Sequence, residues 1–328
     1  MRTSIFLYAY SNRLLEKSLE SIADYTPSDV KVVVCQDADF EFKIDSIMVS
    51  GTEGEGRARA WNKAVEQDDS DILIFMRAPI KVSEGWLEEL HATIDDRSIV
   101  SPRIFMLDTA LWASEANCYH SVSIRWDLDY YAKSKSHCND RSPLLTSYCM
   151  AMRRSWFKHL GGFDDGMLPG RGEDIELTLR NGLMGGYNKV TELSCVASDF
   201  EVDASPNTVI NKARIAGVWL ERYASRVYER LQLDPTIINI GRTNRLESLK
   251  ERCTQDINCW VKHNIPELDA IYNLQNIAHA KRVAIIVPGA SIDHINSSMI
   301  TGHDIIIGVD YAGLLYDCDY VMTDSVLV

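Results

Sequence analysis

WFKHLGGFDDGMLPGRGEDIELTLR, residues 156–180, is the stretch on which the rest of the chain turns. An apolar turn (Trp156, Phe157, Leu160) runs into Gly161-Gly162, and a loop broken by Gly166, Pro169, Gly170 and Gly172 follows. A helix then opens on Glu173-Asp174 and carries Ile175, Leu179 and Leu183 along one face. Two carboxylates at the mouth of a glycine-rich loop can be aimed at a ligand. The simpler account is that acids in a first helical turn complement the helix dipole, worth about 0.3–1 kcal/mol. The flanking sequence decides between the two.

Ser4 to Tyr10 is a short apolar run, and an amphipathic helix through Leu14, Leu15, Leu19 and Ile22 comes after it. Val30 to Cys35 is a second buried strand, ending at Gln36-Asp37-Ala38-Asp39. Strand, helix, strand at this spacing is a βαβ opening, so the sheet is parallel at its start and ligands are expected at the strand ends. Asp37 and Asp39 stand at such an end; the bland alternative is the polar exit of a strand. The turn GTEGEGRARAWNKAV leads into a helix carrying Arg57, Arg59, Asn62 and Lys63. Further strands are expected at Ile72–Met76, Ile99–Met106 and Ser147–Met152, with a helix from Trp86. Residues 107–147 read as a long irregular segment whose aromatics (Trp112, Tyr119, Trp126, Tyr130, Tyr131) shape a substrate site. Two late strands, Tyr187–Val190 and Ser194–Ala197, precede one long helix with Val209, Ala213, Ala216, Leu220, Tyr223, Val227 and Leu231 on its packed side. A last helix is expected from Leu246 to Val261.

The chain has 328 residues, 46% hydrophobic and 25% charged, with a net charge of −13. That composition supports a globular core and disfavours a partner dominated by phosphate backbone. No apolar run approaches the roughly 20 residues of a membrane span. With a strand starting almost at Met1 and cysteines in no framework spacing, reduced thiols and a cytoplasmic location are expected.

Several of these segments, in collinear order over roughly residues 3–270, resemble the catalytic domain of the polypeptide N-acetylgalactosaminyltransferases, and more broadly the GT-A glycosyltransferases. FMRAPIKVSEGWLEEL resembles that family's strand, metal motif and GWLE. Arg125–Leu128 (RWDL) resembles its FDW-L element, and GGFDDGM with GEDIEL resembles its acidic-loop block. RIAGVWLERY and CWVKHNIPEL resemble two later elements. The resemblance implies an α/β fold of GT-A type, a Rossmann-like mixed sheet flanked by helices, over residues 1–275. It also implies a glycosyltransferase that uses a nucleotide-sugar donor, a UDP-sugar first, and a hydroxyl acceptor on glycan, protein or modified nucleic acid. Carried over by position, Asp37 contacts the nucleotide base with Asp39 beside it, and Arg59 and Asn62 border the nucleotide site. Gly172, Glu173 and Asp174 hold the acceptor or the transferred sugar. In inverting relatives the second of these carboxylates is the general base; in retaining ones the pair positions the sugar.

The departures are as informative. The family binds a divalent cation such as Mn²⁺ through Asp-x-His or Asp-x-Asp at the end of the fourth strand, where this chain has Arg77-Ala78-Pro79. The family's later histidine ligand falls near Ser198-Asp199, and its tryptophan before the acidic block is Gly170, next to Arg171. The expectation is therefore no metal cofactor, with Arg77 supplying positive charge and Arg57, Arg59 or Arg171 sharing the role. Mn²⁺ use is the alternative. A catalytically inactive sugar-nucleotide-binding module is the competing functional reading. Residues 276–328 change character, with RVAIIVPGASID resembling the start of Rossmann-like domains related to pterin pyrophosphokinases and some sialyltransferases. They are expected to form a partial second α/β segment.

Overall fold

Unbroken apolar runs predict strands covered on both faces, and β1 (Thr3–Ala9) is buried along its whole length. The computed structural model describes residues 1–9, 14–36, 48–51, 56–119, 121–125, 127–133, 141–199, 205–234, 244–269, 283–286, 305–309 and 320–322. After β1 come α1 (Leu15–Tyr25), β2 (Lys31–Gln36), β3 (Met48–Gly51) and α2 (Gly56–Glu66). Then follow β4 (Ile72–Arg77), β5 (Ile80–Val82), α3 (Trp86–Thr93) and β6 (Ser98–Asp108). The segment read from sequence as irregular instead holds β7 (Ala113–Tyr119), β8 (Ser121–Ile124) and β9 (Tyr130–Lys133), the last two forming an antiparallel pair. Its polar, aromatic-rich sequence concealed the period-two signal, and edge pairing supplies what the pattern lacks.

Next are β10 (Cys149–Arg153), α4 (Arg154–Leu160), α5 (Glu173–Leu183) and β11 (Tyr187–Ser198), a single strand where two were expected. The expected long helix is α6 (Pro206–Trp219), a 3-10 turn at Glu221–Tyr223, and α7 (Ala224–Arg230). Glu221 at φ 47° breaks the helix without disturbing its apolar stripe. The expected last helix is two short ones, α8 (Asn244–Lys250) and α9 (Ile257–Asn264).

Among the described residues the main sheet runs β3-β2-β1-β4-β10-β6-β11-β5, with β7 pairing β6. β1, β2, β3 and β4 are mutually parallel, while β10 is antiparallel to both β4 and β6, which makes the sheet mixed. Alternation along the strands sends side chains to two helical layers. Ile5, Leu7, Ile72, Ile74 and Met76 pack with Leu15, Leu19 and Ile22 of α1 and Trp86 and Leu90 of α3. On the other face Phe6 and Phe75 stack at 5.4 Å, and Phe75 meets Phe157 of α4 and Phe163 at 5.2 and 4.9 Å. Trp61 of α2 joins them at 5.3 Å from Phe75.

β6 carries Pro102, which has no N–H to donate to a ladder. At that residue the partner strand leaves register: Thr191 faces Pro102 but Cys195 faces Arg103, so Glu192, Leu193 and Ser194 bulge out. Ser194 turns back to donate to the Trp86 carbonyl at 2.7 Å, while Leu193 is 73% exposed.

The chain divides into two compact units, Met1–Ile265 and Pro266–Val328. The second contains β12 (Val283–Ile286), β13 (Ile305–Val309) and β14 (Tyr320–Met322), paired in parallel in that order. No helix among the described residues is long and apolar enough to cross a membrane.

Candidate active site

A sheet of this kind presents polar groups at the carboxyl ends of its parallel strands. Three residues stand side by side there. Tyr8 of β1 is the register partner of Arg77 of β4, and the Arg77 amide donates to the carbonyl of Tyr148, just before β10, at 3.3 Å. All three are buried. Arg77 stands at a strand exit, yet its side chain is 4% exposed and lies over the Tyr148 ring at 4.4 Å. Its Nη2 donates to the Asp199 carbonyl at 3.3 Å and sits 3.7 Å from that residue's carboxylate.

Glu173 and Asp174 open α5 beside this row. The preceding glycines make the approach possible: Gly170 and Gly172 have φ of 151° and 130°, which strain any residue with a Cβ. A Cβ on Gly172 would also press to 3.1 Å from the Asn211 Cβ. The loop is pinned by polar side chains of α6. Asn211 donates to the carbonyls of Leu168 and Arg171, each at 2.9 Å, and Asn207 donates to Pro169 O at 2.8 Å. The Arg171 amide donates to the Thr208 hydroxyl at 3.1 Å. This template was missed in the sequence, where α6 showed only its apolar stripe.

Both carboxylates are buried and engaged. Asp174 accepts the amides of Ser147 and Ile175, each at 2.9 Å. Glu173 pairs with the buried Arg57 at 2.8 Å, and Arg57 also donates to Gly170 O at 3.1 Å. Burial pushes the Glu173 carboxyl above the ordinary range, with the Asp174 charge adding to the rise and Arg57 opposing it. Burial likewise raises the Tyr148 phenol, which feels the charges of Arg77, Asp174, Asp199 and Arg57. One electrostatic cluster therefore joins Arg57, Arg77, Tyr148, Glu173, Asp174 and Asp199. Tyr148 and Asp199 were not singled out as site residues from sequence.

The other expected donor-binding residues lie elsewhere. Arg59 donates to Asp165 O at 2.8 Å and Asn62 to Phe163 O at 2.9 Å, in a groove of about 710 Å³ between α2 and α4. Arg171 is held on Tyr130 of β9, over its ring at 4.8 Å and bonded to its hydroxyl. Asp37 and Asp39 fall outside the described residues.

The residues at the end of β4 do not fit a divalent cation. Arg77, Ala78 and Pro79 offer no ligand, and the Asp199 carboxylate is turned to a guanidinium. Among the described residues no three His, Cys, Asp or Glu side chains converge as a metal site.

Below the loop, buried Asp164 receives a fork from Arg214 at 2.8 and 2.9 Å. Burial alone would raise the Asp164 carboxyl; the Arg214 fork and the Gly166 amide outweigh it and hold the group below the ordinary carboxylate range. A depressed folded-state pKa stabilises above the unfolded value, near about 4, and that contribution is lost as pH falls through the folded value. Asp164→Asn is expected to flatten the acid side of a plot of urea midpoint against pH. An unchanged acid slope in the variant would show that the pair is not linked to acid unfolding.

The glycosyl transferase family 2 model matches residues 4–161. Polypeptide N-acetylgalactosaminyltransferase 8 of Drosophila melanogaster is 27% identical over 210 residues, 56% of this chain and 35% of its own. Polypeptide N-acetylgalactosaminyltransferase 15 of Mus musculus is 29% identical over 198 residues, 55% of this chain and 31% of its own. The chain thus spans about a third of the length of these relatives. The crystal structure of GalNAc-T7 with UDP, GalNAc and Mn²⁺ superposes with a TM-score of 0.68 at 18% identity, over 84% of this chain and 58% of that one. The similarity to glycosyl transferase family 2 thus lies in residues 4–161, and the chain is built on the GT-A fold.

Proposed function

We propose that this protein transfers a sugar from a nucleotide-diphosphate donor to a hydroxyl acceptor, with a guanidinium standing where relatives would place a cation. The observation that carries the reading is the buried Arg77 at the carboxyl end of β4, next to the Glu173-Asp174 pair. As the glycosidic bond breaks, negative charge develops on the leaving diphosphate. A permanently charged, forked donor is matched to that group. The relatives' names and the UDP and GalNAc in the GalNAc-T7 structure favour a UDP-sugar donor and a protein or glycan acceptor. The net charge of −13 weighs against modified nucleic acid. Asp37 is assigned to the nucleotide base, with Asp39 beside it.

Asp174 is the proposed acceptor-side carboxylate. Its oxygens take two amides, and an ionised carboxylate has room for about four donors. On an inverting course the acceptor oxygen attacks the anomeric carbon, the bond to the diphosphate oxygen breaks, and the acceptor's proton passes to Asp174. On a retaining course Glu173 and Asp174 orient the sugar.

A second reading rests on the same pairs. Arg57 with Glu173 and Arg77 with Asp199 satisfy one another inside the fold, as a binding module without turnover would also allow. A panel of nucleotide sugars incubated in EDTA separates the two. Transfer or slow hydrolysis of a UDP-sugar is the expected result. Saturable UDP binding with no product would favour the binding module, and activity only with added Mn²⁺ would overturn the role given to Arg77.

A further inference from the structure

The pairing of Arg77 is lopsided. Both of its contacts to Asp199 run through Nη2, and the carboxylate stands 3.7 Å away, too far for a hydrogen bond. Asp199 directly follows β11, whose last residue Ser198 pairs with Ile80, and its side chain is 26% exposed while Arg77 is 4% exposed. A guanidinium this deeply buried is costly without a counter-charge. The Asp199 carboxylate, 3.7 Å away and about a quarter exposed, supplies one.

We infer that Asp199 is an internal competitor for the donor's diphosphate: it neutralises Arg77 in the empty protein and is displaced when phosphate oxygens arrive. This rests on the donor-site reading above. The exchange is chemically even, one anion leaving the guanidinium as another takes its place, with no bond made or broken. The incoming group is the better partner. A diphosphate presents several oxygens at spacings that fit the guanidinium fork, whereas Asp199 engages one nitrogen at long range. The rest of the cluster does not offer an equivalent competitor: Glu173 is committed to Arg57 at 2.8 Å and Asp174 to two amides. Asp199 thereby sets a threshold, so that a ligand must carry enough negative charge to outcompete it. Nucleoside diphosphates pass and nucleosides gain nothing from Arg77.

The consequence has opposite signs for folding and for binding. Asp199→Asn removes the competitor while keeping the shape of the side chain. It is expected to lower the melting temperature of the ligand-free protein, because Arg77 loses its counter-charge. The same change is expected to tighten UDP binding by about tenfold, the scale of one modest charge pair, and to leave uridine binding unmoved. The experiment is calorimetric titration of UDP and of uridine, in EDTA, into the full chain and into Asp199→Asn, Arg77→Ala and the double variant. Asp199→Ser replaces Asp199→Asn should the latter not fold. Tighter UDP binding that disappears when Arg77 is also removed supports the inference. UDP binding that needs Arg77 but is equal or weaker in Asp199→Asn overturns it while leaving the donor site standing. UDP binding that ignores Arg77, or no UDP binding to any variant, overturns it together with the donor-site reading.

Discussion

Arg77→Ala is expected to lower transfer by about 10²–10³, the loss seen when one preorganised donor to a developing anion is removed. The side chain lies on the Tyr148 ring within a folded row of strand ends, so its aim is fixed before any ligand arrives. That preorganisation is what makes a single charge effective, since no reorganisation is needed as the leaving group departs. Arg77→Lys keeps the charge but not the fork, and should fall between alanine and the native protein. The measurement is kcat and KM on the best nucleotide sugar, with EDTA and with Mn²⁺, on variants shown to be folded by circular dichroism. The fall should be the same under both conditions. An Arg77→Ala protein with near-native turnover would place the leaving-group stabilisation elsewhere, with Asp37 and Asp39 the first residues to examine as metal ligands.

The largest effect on stability is expected from Arg180→Met. Arg180 and Glu176, one turn apart on α5, are both fully buried. They join through two bonds of 2.7 and 2.6 Å. Arg180 also donates to the carbonyls of Leu160 and of Gly162, the latter at 2.8 Å, and Trp219 donates to Glu176 at 3.0 Å. One ion pair thus ties α5 to the end of α4, to the glycine turn and to the end of α6. Removing Arg180 leaves a buried carboxylate without its counter-charge and takes a donor from each of two carbonyls, so a loss of about 3–5 kcal/mol is expected. Urea unfolding followed by tryptophan fluorescence measures it. A loss under about 1 kcal/mol would mean that water reaches the vacated space and hydrates Glu176. The double change Arg180→Met with Glu176→Leu should recover part of the loss, because it removes both charges together.

The sheet was legible because β1, β2 and β4 are apolar enough to be strands and nothing else, and because α1 and α2 show clean amphipathic faces. The carboxylate pair was legible too, since Gly170 and Gly172 announce a backbone that other residues resist. What could not be read was pairing at a distance. Arg77 and Asp199 lie 122 residues apart in sequence, and no local pattern announces that a strand exit and the end of β11 meet. Tyr148 looked like one more strand residue. Arg59 and Asn62 were placed beside the nucleotide by position in the family resemblance, and in the fold they donate to the carbonyls of Asp165 and Phe163 while Arg57 pairs with Glu173. A helix turns about 100° per residue, so neighbours on one helix face different surroundings. β7, β8 and β9 hid behind polar sequence, and Glu221 broke a helix that the apolar spacing carried straight through.

The bulge opposite Pro102 has a bearing on how such a fold can diverge. β11 is anchored in register before it, from Tyr187 against Ser98, and again after it, through Ser198 against Met106 and Ile80. Between these anchors the chain has already left the ladder, with Leu193 facing solvent. Residues gained or lost at the tip would change the length of an excursion while every inward-facing side chain kept its place. A lineage carrying this sheet therefore has a position at which to try new surface without re-registering the strand that delivers Asp199 to Arg77.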